Sequence, residues 1–203
     1  MSEKNKPFFL EWGWVYWDGF IYHSVLDLIF GKAHRDMYKR VAEMVGNSSV
    51  LDLCCGDGRL SQWIPPGRYT GIEQNPRFVR SMRRRGINAI DGDVRSVHFP
   101  AAECAVLLES LYHFLPDGLS LIDKILSYPF HKVIVVESLS HVSHHSNSVI
   151  SKFALWSTRV RGQSFGLRLS PRDFQERLGK FGFVTAHANQ THIFAVWERG
   201  KGS

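Results

Sequence analysis

The sequence predicts an α/β domain: a mostly parallel seven-stranded sheet with helices on both faces and an antiparallel hairpin at its C-terminal end. Three observations predict it. Short apolar runs alternate with helix-length segments between Val50 and Val136, the pattern of parallel strands joined by crossover helices. Two further apolar runs, Phe183 to Ala186 and Ile193 to Trp197, flank a polar turn at Asn189-Gln190, the pattern of a hairpin. The chain has 203 residues, 44% hydrophobic and 22% charged, which suits one globular domain with a core of its own.

The elements follow in order. Residues 8–22 crowd Phe, Trp and Tyr together with few charges, and so much aromatic surface requires cover. From Ile21 to Val45, Val25, Leu28 and Ile29 and then Met37, Val41, Met44 and Val45 recur at helical spacing. Gly31 is a point at which this stretch would divide into two helices, and Gly46 suits a C-terminal cap. Val50 to Leu53 reads as a buried strand, and a helix through Leu60 to Trp63 is stopped by Pro65-Pro66. Tyr69 to Glu73 is the second strand, Arg77 to Arg85 a helix ended by Gly86, and Asn88 to Ile90 the third strand. Ala105 to Leu108, a helix around Leu119 to Leu126, and the β-branched run Lys132 to Val136 complete the alternation. Ser170 and Pro171 suit the N-cap and first turn of a last helix, with Gly182 at its junction to the hairpin. Residues 1–46 therefore read as an N-terminal helical and aromatic lid. Residues 47–203 read as the main domain, with an insertion at about 138–166 that is long for a connection.

Composition narrows the classes. The three cysteines are an odd number without a C-x-x-C pair, so free thiols in a reducing cytoplasm are expected. Met1 to Lys6 is not followed by an apolar core of signal-peptide type, and no stretch reaches the length of a membrane span, so a soluble protein is expected. A net charge of +6 favours anionic partners or serves general solubility. Arg77, Arg80, Arg83, Arg84 and Arg85 make one basic helix, read either as a solvated face or as a phosphate contact. His141, His144 and His145 lie close together, but no Asp, Glu or Cys nearby completes a site, so no metal is expected.

The chemistry points to the loop after the first strand, Asp52-Leu53-Cys54-Cys55-Gly56-Asp57-Gly58. Glycines at a strand-to-helix turn let a ligand approach the backbone, where it meets N–H groups at a helix N-terminus. Glu73 ends the second strand roughly 20 residues further along, where a carboxylate accepts the ribose hydroxyls of a nucleoside. Asp93 follows the third strand and suits an adenine amino group, and the fourth strand runs into Glu109-Ser110-Leu111-Tyr112-His113-Phe114 beside the same crevice. A nicotinamide site would want a third glycine soon after Gly58, where Leu60 and Ser61 stand instead.

With these residues the sequence resembles the class I (Rossmann-like) S-adenosylmethionine-dependent methyltransferases, over roughly Val50 to Glu198. Asp52, Gly56 and Gly58 match the family's first motif, an acidic residue followed by three alternating glycines, with Cys54 in place of the first glycine. The resemblance implies S-adenosylmethionine (SAM) as cofactor, Glu73 as the ribose carboxylate, Gln74 as a wall of the adenine site, and Asp93 and Val94 as the adenine-edge pair. It also places Glu109 beside the cofactor, and Tyr16 and Tyr22 either in a lid over it or in aromatic packing. Methyl transfer is an in-line displacement, so alignment supplies much of the rate and a base is needed only if the acceptor must lose a proton. His113 is the candidate base and Tyr112 its neighbour, or both are polar walls of the pocket. A small-molecule acceptor is expected, acidic or apolar, with Arg159, Arg161, Arg168 and Arg172 on its side. The alternatives are an RNA or protein acceptor held by the basic surface, and a SAM-binding module without catalysis.

Overall fold

The computed structural model describes residues 19–115, 118–139, 169–188 and 191–200, the side chains of 19–31 and 118 excepted. Helix α1 (Gly19–Val45) leads into β1 (Val50–Leu53), followed by β2 (Tyr69–Glu73), α2 (Pro76–Arg84), β3 (Ala89–Asp91) and β4 (Cys104–Leu108). Then come α3 (Gly118–Ser127), β5 (Lys132–Ser138), α4 (Pro171–Gly179), β6 (Val184–Ala188) and β7 (His192–Glu198). The expected division of the first helix at Gly31 does not occur. One 27-residue helix runs through it, because a single helical glycine costs only about 1 kcal/mol. Gly46 closes that helix at φ 63° with its N–H on the Ala42 carbonyl. The insertion at 138–166 falls outside the described residues after Leu139, as do Arg159, Arg161, Arg168 and the three clustered histidines.

The seven strands form one sheet in the order β3-β2-β1-β4-β5-β7-β6. β1 to β5 pair in parallel, and β7 runs antiparallel to both β5 and β6, with a bulge between Thr185 and His187. The chain order reverses between β1 and β4, and a crevice therefore opens at their carboxyl ends.

Side chains alternate across the sheet with period two. Leu51, Leu53, Ala105, Leu107, Val133 and Val135 face α3 and α4, meeting Leu121, Ile122, Ile125, Phe174 and Leu178. Val50, Cys104, Val106, Ile134 and Val136 face the other way and meet Met37, Val41 and Val45 of α1. Burial on both faces explains why the strands read as continuous apolar runs.

The short helix expected through Leu60 to Trp63 forms as a single turn. After Gly58 the chain makes only a 3-10 turn, Arg59–Gln62, entered from Gly58 at φ 80° with no side-chain cap. Pro65 and Pro66 leave no room for another turn, because a proline within a helix removes a donor and collides with the preceding turn. Ser170 caps α4 as expected, its hydroxyl accepting the Asp173 N–H.

Candidate functional site

The loop after β1 takes its shape from three alternate residues in the left-handed region: Cys54 at φ 58°, Gly56 at φ 60° and Gly58 at φ 80°. An alternating-glycine motif suits that backbone, and Cys54 adopts it despite its Cβ, at a cost of about 1 kcal/mol or more. Close packing adds a second constraint. A Cβ on Gly58 would lie 2.6 Å from Met82 Sδ, and one on Gly71 would lie 2.5 Å from Cys55 Sγ.

The loop amides are engaged within the protein. Cys55 N–H donates to the Ile72 carbonyl, Gly58 N–H to the Cys55 carbonyl, and Gly56 N–H to Glu73 Oε2 at 3.0 Å. Glu73 Oε1 accepts the Asn75 N–H at 2.7 Å, so one carboxylate clamps the loop after β1 to the loop after β2. With these amides paired and only a 3-10 turn behind them, the expected open row of donors at a helix N-terminus is not what forms here.

Cys54, Ile72, Glu73, Gln74, Gly92, Asp93, Val94 and Phe114 line a cleft of about 30 Å³ at the carboxyl ends of β1 to β3. That volume admits a water molecule. Phe114 forms one wall, and Arg95 lies over its ring, 6.0 Å from the centroid. Arg95 also grips Asp93 through its Nε and Nη2, at 3.0 and 2.6 Å. The carboxylate expected to face an adenine amino group thus already has a cation on it, and that cation is 60% exposed.

Burial sets the protonation of the site. It pushes the Asp52 carboxyl up to about 7, against the lowering effect of the Tyr69 hydroxyl, which donates to Oδ2 at 2.8 Å. Burial likewise pushes Glu73 up to about 7, outweighing the backbone N–H groups of Asn75 and Gly56. The Cys54 and Cys55 thiols are raised by burial and by the neighbouring carboxylates, which makes them packing groups and not thiolate nucleophiles.

The structure brings Cys54, Glu73, Gln74, Asp93 and Val94 together at one cleft, while Gly56 and Gly58 shape the loop. Asp52 lies under the loop on Tyr69. Tyr22 belongs to α1, with its side chain outside the described residues. Tyr112 and His113 share a 3-10 turn, Leu111–Phe114, with ring centroids 3.9 Å apart; Tyr112 is buried and His113 half-buried. That turn is held from β5, where Glu137 Oε1 accepts the Leu111 N–H at 2.7 Å.

Glu109 stands apart from the cleft. Its carboxylate lies between His34 Nε2 of α1 at 3.1 Å and His192 Nε2 of β7 at 3.3 Å. Burial works to raise its pKa, but hydrogen bonds and charge interactions with His192 and His34 outweigh this and hold it well below the usual carboxylate range. Arg59 Nη1 lies 3.4 Å from His34 Nδ1 and over the Tyr38 ring, which stacks on Trp63. No motif or spacing in the sequence singles out His34, His192, Arg59 or Glu137. Among the described residues no group of His, Cys, Asp and Glu could hold a metal ion. No helix among them is long and apolar enough to cross a membrane.

Comparison with known proteins agrees with this architecture. The family described as "Methionine biosynthesis protein MetW" matches residues 35–111. The trans-aconitate 2-methyltransferases of Mycobacterium ulcerans (strain Agy99) and Mycobacterium marinum (strain ATCC BAA-535 / M) are each 27% identical over 105 residues, 50% of this chain. The chain spans only 39% of the length of those relatives. Among solved structures, a DhpI–SAH complex superposes with a TM-score of 0.65 at 18% identity, covering 90% of this chain and 92% of that one. Magnesium protoporphyrin IX methyltransferase (ChlM) from Synechocystis PCC 6803, with bound SAM, gives 0.62 at 14% identity, covering 92% and 88%. The fold is therefore that of the class I, Rossmann-like SAM-dependent methyltransferases.

Proposed function

We propose that the protein is a SAM-dependent methyltransferase that transfers a methyl group to a small-molecule acceptor. The observation that carries this reading is the cleft at the carboxyl ends of β1 to β3. There a left-handed loop and the carboxylates of Glu73 and Asp93 surround a space bounded by Gln74, Val94 and Phe114. A nucleoside laid there would offer its ribose to Glu73 and its base edge to Asp93 and Val94 once Arg95 withdraws. Asp52, Gly56 and Gly58 hold the loop in place, and Tyr22 remains a candidate contact from α1. When bound, the cofactor would supply an electrophilic methyl group on a sulfonium.

The residues of the chain would align that group with the acceptor and exclude water. His113 is the candidate base for an acceptor that must lose a proton, with Tyr112 beside it. The small-acceptor reading is supported by the names of the curated relatives and of ChlM, which describe methylation of small molecules.

Calorimetry with SAM and S-adenosylhomocysteine (SAH) tests the first half: binding is expected, weakened by Glu73→Ala, and no binding at millimolar ligand refutes it. Incubation with methyl-labelled SAM and fractionated cell extract tests the second. Label is expected in the small-molecule fraction and should fall in His113→Ala. Label in RNA or protein alone refutes a small acceptor, and no transfer despite binding refutes catalysis.

A further inference from the structure

We propose that the outer face of α2 is a docking surface for the phosphate backbone of a nucleic acid, carried by Arg77, Arg80 and Arg84. None of the three lines the cleft, and the inference does not depend on the methyl-transfer reading. Between Pro76 and Gly86 the chain has five arginines and no Asp, Glu or Lys. Phe78, Val79 and Met82 are buried and pack α2 onto the sheet at β2 and β3. At roughly 100° per residue that seam leaves positions 77, 80 and 84 on the opposite side, in a line about 10 Å long. All three are exposed.

The other two arginines serve the fold. Arg83 donates to the Ala89 carbonyl through Nε and Nη2, at 3.1 and 3.0 Å, and Arg85 donates to the Asp57 carbonyl. Among the described residues neither Arg80 nor Arg84 has a hydrogen-bond or ion-pair partner. Faces that are merely solvated are arranged differently in this chain. α1 pairs Arg40 with Glu43 at 3.0 Å, and α4 pairs Glu176 with Lys180 at 3.9 Å and has Asp173 in its first turn. α2 instead sets Arg77 in its first turn, against the helix dipole, and Arg80 one turn from both Arg77 and Arg84. These like charges weaken the helix unless an anion lies across them.

The chemistry of the face selects the anion. A guanidinium is a planar fork that meets phosphate oxygens two at a time. A membrane or a protein partner would want an apolar centre to the contact. The apolar residues of α2 are buried, and the one exposed large hydrophobic among the described residues, Val184, lies on β6 at the far edge of the sheet. Phe78, the aromatic residue of α2, is buried as well, so no ring is offered to a base. The contact therefore reads phosphate and not sequence or sugar.

Anisotropy titrations of labelled single-stranded RNA and DNA of one sequence test this, with wild type, Arg80→Gln/Arg84→Gln and Arg80→Lys/Arg84→Lys. Three phosphate contacts give a log–log salt slope of about −2, so affinity for both strands falls roughly 20-fold between about 50 and 200 mM salt. The Gln pair flattens the slope to about −0.7, while the Lys pair keeps the charge and the slope. The Tm of the Gln pair stays at or above wild type, because a repulsion is removed. No binding of either strand at about 50 mM salt overturns the inference, and so does an undiminished slope in the Gln pair. A lowered Tm in the Gln pair makes the arginines part of the fold and overturns it too. Tighter binding of phosphatidylserine vesicles or of polyglutamate than of both oligonucleotides gives the face to a membrane or a protein and overturns it as well.

Discussion

Replacing Glu73 by Gln separates the two tasks that its carboxylate is positioned to perform. Oε2 accepts the Gly56 N–H at 3.0 Å and Oε1 the Asn75 N–H at 2.7 Å. A carboxamide keeps one acceptor and turns an NH₂ group toward the other amide, so one buried N–H loses its partner. Such a loss costs roughly 1–3 kcal/mol. For a chain of this size 1 kcal/mol moves Tm by about 2–4 °C, so a fall of about 2–12 °C is expected in thermal unfolding without ligand. If Glu73 also takes the ribose hydroxyls, SAH binding should weaken beyond this, by about tenfold or more, since hydrogen bonds to a charged group are worth about 1.5–3 kcal/mol. The assay is paired thermal unfolding and calorimetry on the same preparation. A lowered Tm with wild-type affinity for SAH would refute the ribose role and leave Glu73 as a clamp between loops. Unchanged Tm would refute the clamp.

Other expected outcomes follow from the same geometry. Glu73 and Asp52 ionise near pH 7 in the folded chain, above their ordinary values. The folded state therefore holds more protons than the unfolded state between about pH 4 and 7, and unliganded stability should fall as pH rises through that window. Binding that needs ionised Glu73 should release a proton and weaken by up to roughly tenfold per pH unit below 7; a flat profile from pH 5.5 to 8 would refute the raised value. Cys54→Val, a β-branched residue at φ 58°, should lose about 1–3 kcal/mol in denaturant unfolding, while Cys54→Gly should be close to neutral. Gly71→Ala brings a Cβ to 2.5 Å from Cys55 Sγ and should cost about 1–3 kcal/mol. Cys55→Ala on that background should recover part of the loss, and additive effects would show that the two positions are not in contact.

Much of this protein is legible in its sequence because the signals are local. Apolar runs of strand length, the proline and serine at the start of α4, and the cap at Gly46 are fixed by neighbours within a few residues. The strand ends came out nearly as read, with β2 at Tyr69–Glu73 in both. The alternation at positions 54, 56 and 58 was equally readable, because one backbone path requires three left-handed residues whether or not the first is glycine. The helix after Gly58 is a single 3-10 turn, as short as Pro65-Pro66 require.

What each carboxylate does was decided in three dimensions. Spacing put Glu73, Asp93 and Glu109 at successive strand ends, but a carboxylate is answered by whatever donors folding brings within 3 Å or so. Glu73 meets the loop of another strand, and Asp93 meets Arg95. Glu109 meets histidines 75 and 83 residues away, on the first helix and the last strand. Periodicity records which face of an element is buried; it carries nothing about which distant donor shares that burial. The sequence alone therefore determined the sheet, the turn and the acidic positions at its mouth. The tertiary structure decided which of those acids clamp loops, which is held by an arginine, and which one two buried histidines keep charged at the crevice.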